Sequence, residues 1–147
     1  MGSEIFQFSL HDELTMLVRL LVAVLAGSII GFERRRSSRP AGIRTVGLVA
    51  GGSAIFTLVS IFGFQGLGDM RDPARVAAQI VTGVGFIGAG VMIRGDGGTV
   101  RGLTTAGSIW IAAALGMAAG AGMYVIAVAG SILTVVVLHF FPRKAGE

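Results

Sequence analysis

Few side chains in this 147-residue chain could carry out chemistry, and their spacing assembles no catalytic set. His11 and His139 lie near opposite ends of the chain, and no Ser, His and Asp residues are arranged as a nucleophile with its base. The chain contains no Cys, which excludes disulfides, thiolate chemistry and Cys-based zinc sites. These observations predict a protein that is not an enzyme and that holds no cofactor.

The composition indicates the class of protein in which the few remaining polar residues must be positioned. The chain has 24 Gly, 53 % hydrophobic residues, 14 % charged residues and a mean hydropathy of +0.80. A soluble domain has about 25 % charged residues, so this chain has too few polar side chains to cover a soluble surface. The composition therefore favours a membrane protein whose surface is covered by lipid.

Five apolar runs are long enough to cross a bilayer, and their continuity favours helices over the alternating strands of a barrel. They predict an all-α, polytopic membrane bundle. The predicted spans are residues 16–32, 45–64, 76–93, 103–119 and 124–141. Residues 1–15 form a lead-in that could touch the membrane interface, and residues 142–147 form a short tail. Asp72 before Pro73 predicts the N-cap of the third helix, with Thr45 and Thr104 as candidate caps of the second and fourth.

Basic residues are sorted by side, and their sorting predicts the orientation in the membrane. Nine Lys and Arg residues fall in the first connection, the third connection and the tail, whereas two fall in the second connection. Because basic residues mark the cytoplasmic side of short loops, we expect the N-terminus outside and the C-terminus in the cytoplasm. This sorting explains the sequence pI near 11.1 without nucleic acid as a partner.

Polar residues at the ends of the predicted spans form two candidate clusters. The outer candidate cluster comprises Arg19, Asp72, Arg75 and Gln79, in which Arg19 would pair with Asp72 or, failing that, with Asp69. It could be an ion-pair clamp between two spans or a site for an ion or a regulator. The cytoplasmic candidate cluster comprises Glu33, Arg34, Arg44 and Arg101. It could anchor the chain by local ion pairing, or it could dock a partner or anionic lipid headgroups.

Carboxylates could in principle bind Mg²⁺, which prefers oxygen ligands. Asp69 and Asp72 fall on the opposite side of the predicted membrane from Asp96, so the sequence predicts no metal site.

Glycine recurs at spacings that allow two helices to approach closely within lipid. The residues concerned are Gly27, Gly31, Gly47, Gly51, Gly83, Gly85, Gly88, Gly90, Gly116 and Gly120. They predict tight packing within one bundle, and a homo-oligomer, with a dimer favoured, could form through the same kind of contact. The alternative is a helix broken at Gly that lines an ion path. The density of glycine in the third span predicts that this span is central and contacted on several sides. Residues 83–88 also match GxGxxG, but a nucleotide-binding fingerprint needs a preceding strand, which this apolar run does not provide.

Three ordered strings resemble the MgtC/SapB family of bacterial membrane proteins, and the similarity runs from about Glu13 to Phe141. The first string is Gly31-Phe-Glu33-Arg34 followed by Arg39-Pro-Ala-Gly-Ile-Arg-Thr45. The second runs from Asp72 to Gly90. The third is Arg101-Gly-Leu-Thr-Thr-Ala106 with Trp110, followed by Gly116, Gly120, Gly122 and Tyr124.

The resemblance implies an inner-membrane protein of about five helices, linked to growth in low Mg²⁺ and to bacterial survival inside phagocytes. It implies a regulator in magnesium or ion homeostasis, or in stress adaptation, that acts on other membrane proteins such as the proton-translocating ATP synthase. The alternative is a small oligomeric channel or transporter for H⁺ or Mg²⁺. Many family members carry a soluble domain after the last span, and the sequence leaves open whether such a domain is naturally absent here or removed.

Overall fold

The computed structural model describes residues 8–64, 72–94 and 100–141. These ranges contain five α-helices and a two-stranded antiparallel hairpin. The helices are α1 (Leu10–Arg36), α2 (Ile43–Phe62), α3 (Pro73–Gly90), α4 (Leu103–Gly120) and α5 (Tyr124–Phe140), and the strands are β1 (Ile93–Arg94) and β2 (Val100–Arg101). The predicted all-α bundle is confirmed. The first half of the lead-in, the tail, Asp69 and Asp96 lie outside the described residues.

Local sequence explains where most helices begin. Ser9 and Asp12 form a capping box at the start of α1, since each side chain bonds the other's backbone N–H. Asp72 caps α3 as predicted, because its Oδ1 accepts from the N–H of Ala74 at 2.9 Å. Thr45 and Thr104 do not cap α2 and α4. Those helices begin earlier, at Ile43 and Leu103 with Gly42 and Gly102 as their N-caps, so each Thr falls inside the first turn.

The helices run up and down, and α4 lies at the centre of the bundle. It packs against all four other helices, whereas α3 packs only against α4 and α2 among the described elements. The expectation that the third span is central is therefore wrong. The physical reason is that α4 carries Ala or Gly on several sides, including Ala112, Ala113, Gly116 and Ala119, which are all buried.

We call the end of the bundle that holds Arg34, Arg44, Arg94 and Arg101 the basic end, and the other end, which holds Arg19 and Asp72, the opposite end. At the basic end β1 pairs with β2 between α3 and α4, with Ile93 facing Arg101. Sequence reasoning did not predict this hairpin. Gly102, which follows β2, has φ +92°, and a Cβ at that position would overlap the carbonyl oxygen of Val91.

Helix length and composition agree with a membrane location. Three helices are long and apolar enough to cross a bilayer, namely α1, α2 and α4, and α5 is a shorter apolar helix. α3 runs antiparallel along α4, because Gly88 lies near Ala106 at the basic end and Pro73 reaches α2 at the opposite end. Large apolar side chains such as Leu48 and Val125 point outward from the bundle, as lipid-facing residues do.

Candidate functional sites at the two ends of the bundle

Arg19 of α1 binds the C-terminal end of α4. Its Nη1 donates to the carbonyl oxygen of Gly120 at 3.0 Å, and its guanidinium lies 5.3 Å from the centre of the Phe62 ring. A Cβ on Gly122 would come within 3.2 Å of the same guanidinium, so the turn after α4 lies directly against it. The Nε atom is buried and has no hydrogen-bond partner among the described residues.

This contact completes the cap of α4. The turn forms a Schellman motif, in which Met123 N–H donates to Ala118 O at 2.8 Å and Gly122 N–H donates to Ala119 O at 2.9 Å. Gly122 has the positive φ, +85°, that this motif requires. The Gly120 carbonyl lies in the last turn of α4, where it has no partner within the helix, and Arg19 supplies its donor. The positive charge also complements the negative end of the α4 dipole.

The outer candidate cluster is not assembled as predicted. Arg19 forms no ion pair with Asp72: its Nη1 bonds the Gly120 carbonyl, and the Oδ1 of Asp72 caps α3. The one ion pair in the described parts of the chain joins Arg34 to Glu33. Arg75 and Gln79 are exposed on the outer face of α3, away from Arg19. The sequence could not have shown that Arg19 bonds a backbone carbonyl, because every residue has a carbonyl and none is distinguished by residue type.

At the basic end, Glu33 and Arg34 form a buried pair. Arg34 Nε donates to Glu33 Oε2 at 2.6 Å, with side-chain exposures of 6 % and 11 %. Ser37 Oγ donates to the other carboxylate oxygen at 2.8 Å. The local ion pairing expected for Glu33 is therefore present, and its partner is the neighbouring residue on α1.

The connection from α1 to α2 is held tightly against α1. Arg39 N–H donates to Arg34 O at 2.9 Å, and Ser38 and Ala41 adopt positive φ, which is uncommon for residues with a side chain. A Cβ on Gly31 would lie 2.6 Å from the Cα of Ile43. The short string at 39–45 therefore encodes a constrained turn that sets the position of Arg44.

Arg44 and Arg101 differ from the buried pair because both are exposed at the basic end. Within the part of the chain that the structure describes, neither one forms an ion pair with Glu33. The cytoplasmic candidate cluster is thus a buried pair with exposed arginines around it, and Arg35, Arg36, Arg39 and Arg94 add to the same exposed basic surface.

Six of the ten predicted packing glycines lie in close helix contacts: Gly27, Gly31, Gly47, Gly51, Gly116 and Gly120. At Gly27, for example, a Cβ would lie 2.6 Å from the Cβ of Ala50, and at Gly116 it would overlap the carbonyl oxygen of Ala50. Gly88 has room for a methyl group, at 3.6 Å from Ala106. Gly83, Gly85 and Gly90 meet nothing within 4 Å, so they do not pack inside the described bundle.

A cavity of about 410 Å³ opens between α2, α3 and α4 at the opposite end. Its lining is apolar apart from Thr57 and Ser60. Both hydroxyls already donate to backbone carbonyls, of Ser53 at 2.8 Å and of Pro73 at 3.1 Å. The described residues contain no group of three His, Asp or Glu side chains placed to hold a metal ion.

Comparison with known proteins assigns the family. The family model described as "MgtC family" matches residues 20–145. This chain belongs to the MgtC family. The resemblance expected from the three strings is thereby confirmed.

Curated relatives are similar over most of the chain. "Putative magnesium transporter YhiD" of Escherichia coli (strain K12) is 45 % identical over 130 residues, which are 85 % of this chain and 60 % of the relative. Protein SapB of Bacillus subtilis (strain 168) is 41 % identical over 138 residues, 89 % of this chain and 60 % of SapB. Protein MgtC of Salmonella typhimurium (strain LT2) is 44 % identical over 131 residues, 89 % of this chain and 54 % of MgtC. No solved structure matches significantly.

The chain therefore spans only a little over half the length of these relatives. Within the family, it is an α-helical membrane protein whose described bundle presents one basic end.

Proposed function

We propose that this MgtC-family chain is a non-enzymatic membrane regulator in magnesium or ion homeostasis, or in stress adaptation, that acts on another membrane protein. The name of the YhiD relative supports the link to magnesium. We place the chain in the bacterial cytoplasmic membrane, with the basic end in the cytoplasm, because seven of the described basic residues lie at that end and the cytoplasmic side attracts Lys and Arg.

The observation that carries this proposal is the closed centre of the bundle. Gly116 lies so close to Ala50 that α2 and α4 touch backbone to backbone, and Gly120 does the same at Ala54. Buried hydroxyls are used to join helices, as when Ser131 donates to Ala26 O at 2.7 Å. A single described bundle packed in this way favours a binding role over conduction through its own centre.

The exposed arginines of the basic end are the surface that we propose docks the partner. Arg44 lies in the first turn of α2, and Arg101 lies in β2 two residues before α4, so both arginines are presented from regular secondary structure. An anionic surface on a membrane protein would complement these two arginines, since a guanidinium group forms bidentate hydrogen bonds with carboxylate and phosphate groups. The family resemblance makes the proton-translocating ATP synthase one candidate partner.

Reconstituted flux separates the regulator from the alternative, a small oligomeric channel or transporter. Liposomes that contain the purified chain would be tested for H⁺ and Mg²⁺ flux, with and without a membrane potential, against empty liposomes. We expect no flux above the empty control. Flux that depends on the protein would overturn the regulator and favour the transporter that the YhiD name describes.

Capture from native membranes tests the proposed docking surface. We expect one defined membrane protein to co-purify with the wild-type chain and to be lost with Arg44→Gln or Arg101→Gln. Arg44→Lys and Arg101→Lys are the matched controls, because they keep the charge and reveal whether binding needs charge alone or the planar guanidinium. Recovery of the same partner with both Gln variants would contradict the assignment of this surface.

A further inference from the structure

The outer face of α3 and its N-cap carry polar, aromatic and small residues at a regular spacing, and their only side-chain hydrogen bonds in the described bundle are local ones, from Ala74 N–H to Asp72 and from Thr82 to Ala78 O. These residues, which we call the α3 seam, are Asp72, Arg75, Gln79, Thr82, Phe86 and Ala89. All six are exposed, and Phe86 is 84 % exposed. Their positions follow each other at intervals of three, four, three, four and three, which is the spacing of a heptad repeat.

The bundle occupies the other side of α3. Ile80, Val84 and Gly88 are the buried residues of this helix, and they face Ile109, Ala113 and Ala106 of α4. Because α3 packs along α4, a helix long and apolar enough to span a membrane, we expect the middle of the α3 seam to lie within the membrane. An exposed Gln amide at such depth is costly unless another helix bonds it.

We propose that the α3 seam pairs with the α3 seam of a second copy of this chain. All copies insert in one direction, so a twofold axis normal to the membrane places the two α3 helices parallel. In that arrangement Gln79 faces its own equivalent, and an amide is self-complementary because it both donates and accepts. A polar residue at one seam position also fixes the register of a two-helix pair.

Charge complementarity at the opposite end supports the same partner. Asp72 and Arg75 are both exposed, carry opposite charges and occupy successive seam positions. In a parallel pair the long Arg75 side chain of each copy can reach Asp72 of the other, which forms two equivalent ion pairs across the axis. Asp72 can accept this bond while it caps α3, since a carboxylate has two oxygens and the cap uses Oδ1.

Small residues around Phe86 provide the space for close packing. In a parallel heptad pair, each Phe86 enters a hole formed by Thr82, Gly85, Phe86 and Ala89 of the facing helix. A Cβ on Gly85 would meet nothing within 4 Å in the single chain. A large side chain at Gly85 would therefore leave the single chain intact and fill the hole.

Disulfide formation in native membranes tests this interface, because the chain has no Cys of its own. Thr82→Cys and Ala89→Cys place single thiols on the α3 seam. Leu48→Cys on α2 and Val125→Cys on α5 are controls on other exposed faces, at 76 % and 78 % exposure. With mild oxidant, we expect disulfide-linked dimers from the two seam variants at several-fold higher yield than from the two controls.

A second substitution tests whether the disulfide-linked dimer arises from a packed interface or from random collision of two chains in the membrane. Gly85→Leu added to Thr82→Cys should abolish most of the dimer. Gly107→Leu is the matched control, since a Cβ at Gly107 of α4 also meets nothing within 4 Å but lies off the seam. Equal yields from seam and control cysteines, a dimer insensitive to Gly85→Leu, or a cross-link to a different protein would each overturn the pairing of two copies. None of these outcomes depends on whether the chain regulates or transports.

Discussion

Arg19 shows how one charged side chain of an apolar helix can be bound without a carboxylate among the described residues. A carbonyl at a helix end is a fixed, partly negative acceptor, and Gly120 supplies one 3.0 Å from the guanidinium. The Phe62 ring adds a favourable contact with the cation. Sequence reasoning identified Arg19 as special because Arg is rare inside a span, but it considered only side chains as partners and so missed the Gly120 carbonyl. Asp72 forms no ion pair with Arg19, and the second candidate partner, Asp69, lies outside the described residues.

Replacing Arg19 by Gln should destabilise the turn between α4 and α5. The variant loses a charge-assisted bond and leaves the Gly120 carbonyl short of a donor, so we expect the free energy of unfolding to fall by about 1.5–3 kcal/mol. Reversible unfolding in mixed micelles measures this change. Arg36→Gln, at an exposed position, is the control and should change stability little. Equal stability of both variants would show that the Gly120 contact contributes nothing.

At the scale of the helices, the sequence predicted the number of helices correctly but not which helix lies at the centre of the bundle. Continuous apolar runs and the Asp72–Pro73 cap located the five helices, since both signals are local in the chain. The neighbours of each helix are not local information. Gly83, Gly85 and Gly90 look like the packing glycines of α4 in the sequence, yet in the structure they face outward. Whether a glycine lies in a helix contact depends on where the neighbouring helix packs, and the local sequence does not show that. The short strands of the hairpin were missed because two residues show no periodicity.

Two glycine substitutions on α4 should have opposite effects. Gly116→Ala forces a methyl group into the Ala50 carbonyl, and overpacking of this kind costs about 1–3 kcal/mol. Gly107→Ala meets open space and replaces a poor helix former, so it should add about 0.5–1 kcal/mol. Unfolding of both variants in the same micelles checks the pair. If Gly116→Ala were as stable as Gly107→Ala, the close approach of α2 and α4 would be wrong.

At the scale of the whole molecule, the fold separates two kinds of residue. Tight contacts of Gly and Ala build the centre, and charged residues lie at the two ends. The sequence predicted that separation because charge sorting and hydropathy are sums over the chain. It could not predict which end residues are buried: Arg34 is 5 % exposed and Arg44 is exposed, although both are arginines beside a span.

The orientation can be tested with single cysteines and a thiol reagent that does not cross membranes. His11→Cys lies in the first turns of α1 at the opposite end, and Arg39→Cys lies in the connection at the basic end, and both positions are exposed. We expect the reagent to label His11→Cys in intact cells and Arg39→Cys only after the membrane is opened, because we propose that the basic end faces the cytoplasm. The reverse pattern would invert the proposed topology.

The bond from Arg19 to Gly120 also has a consequence for biosynthesis. Its two residues are 101 positions apart, and the Ser131 to Ala26 bond spans 105 positions. A chain made from its N-terminus inserts α1 long before either partner leaves the ribosome. Neither bond can form until the partner helix has been synthesised, so α1 can reach its native contacts with α4 and α5 only late in the synthesis of the described bundle.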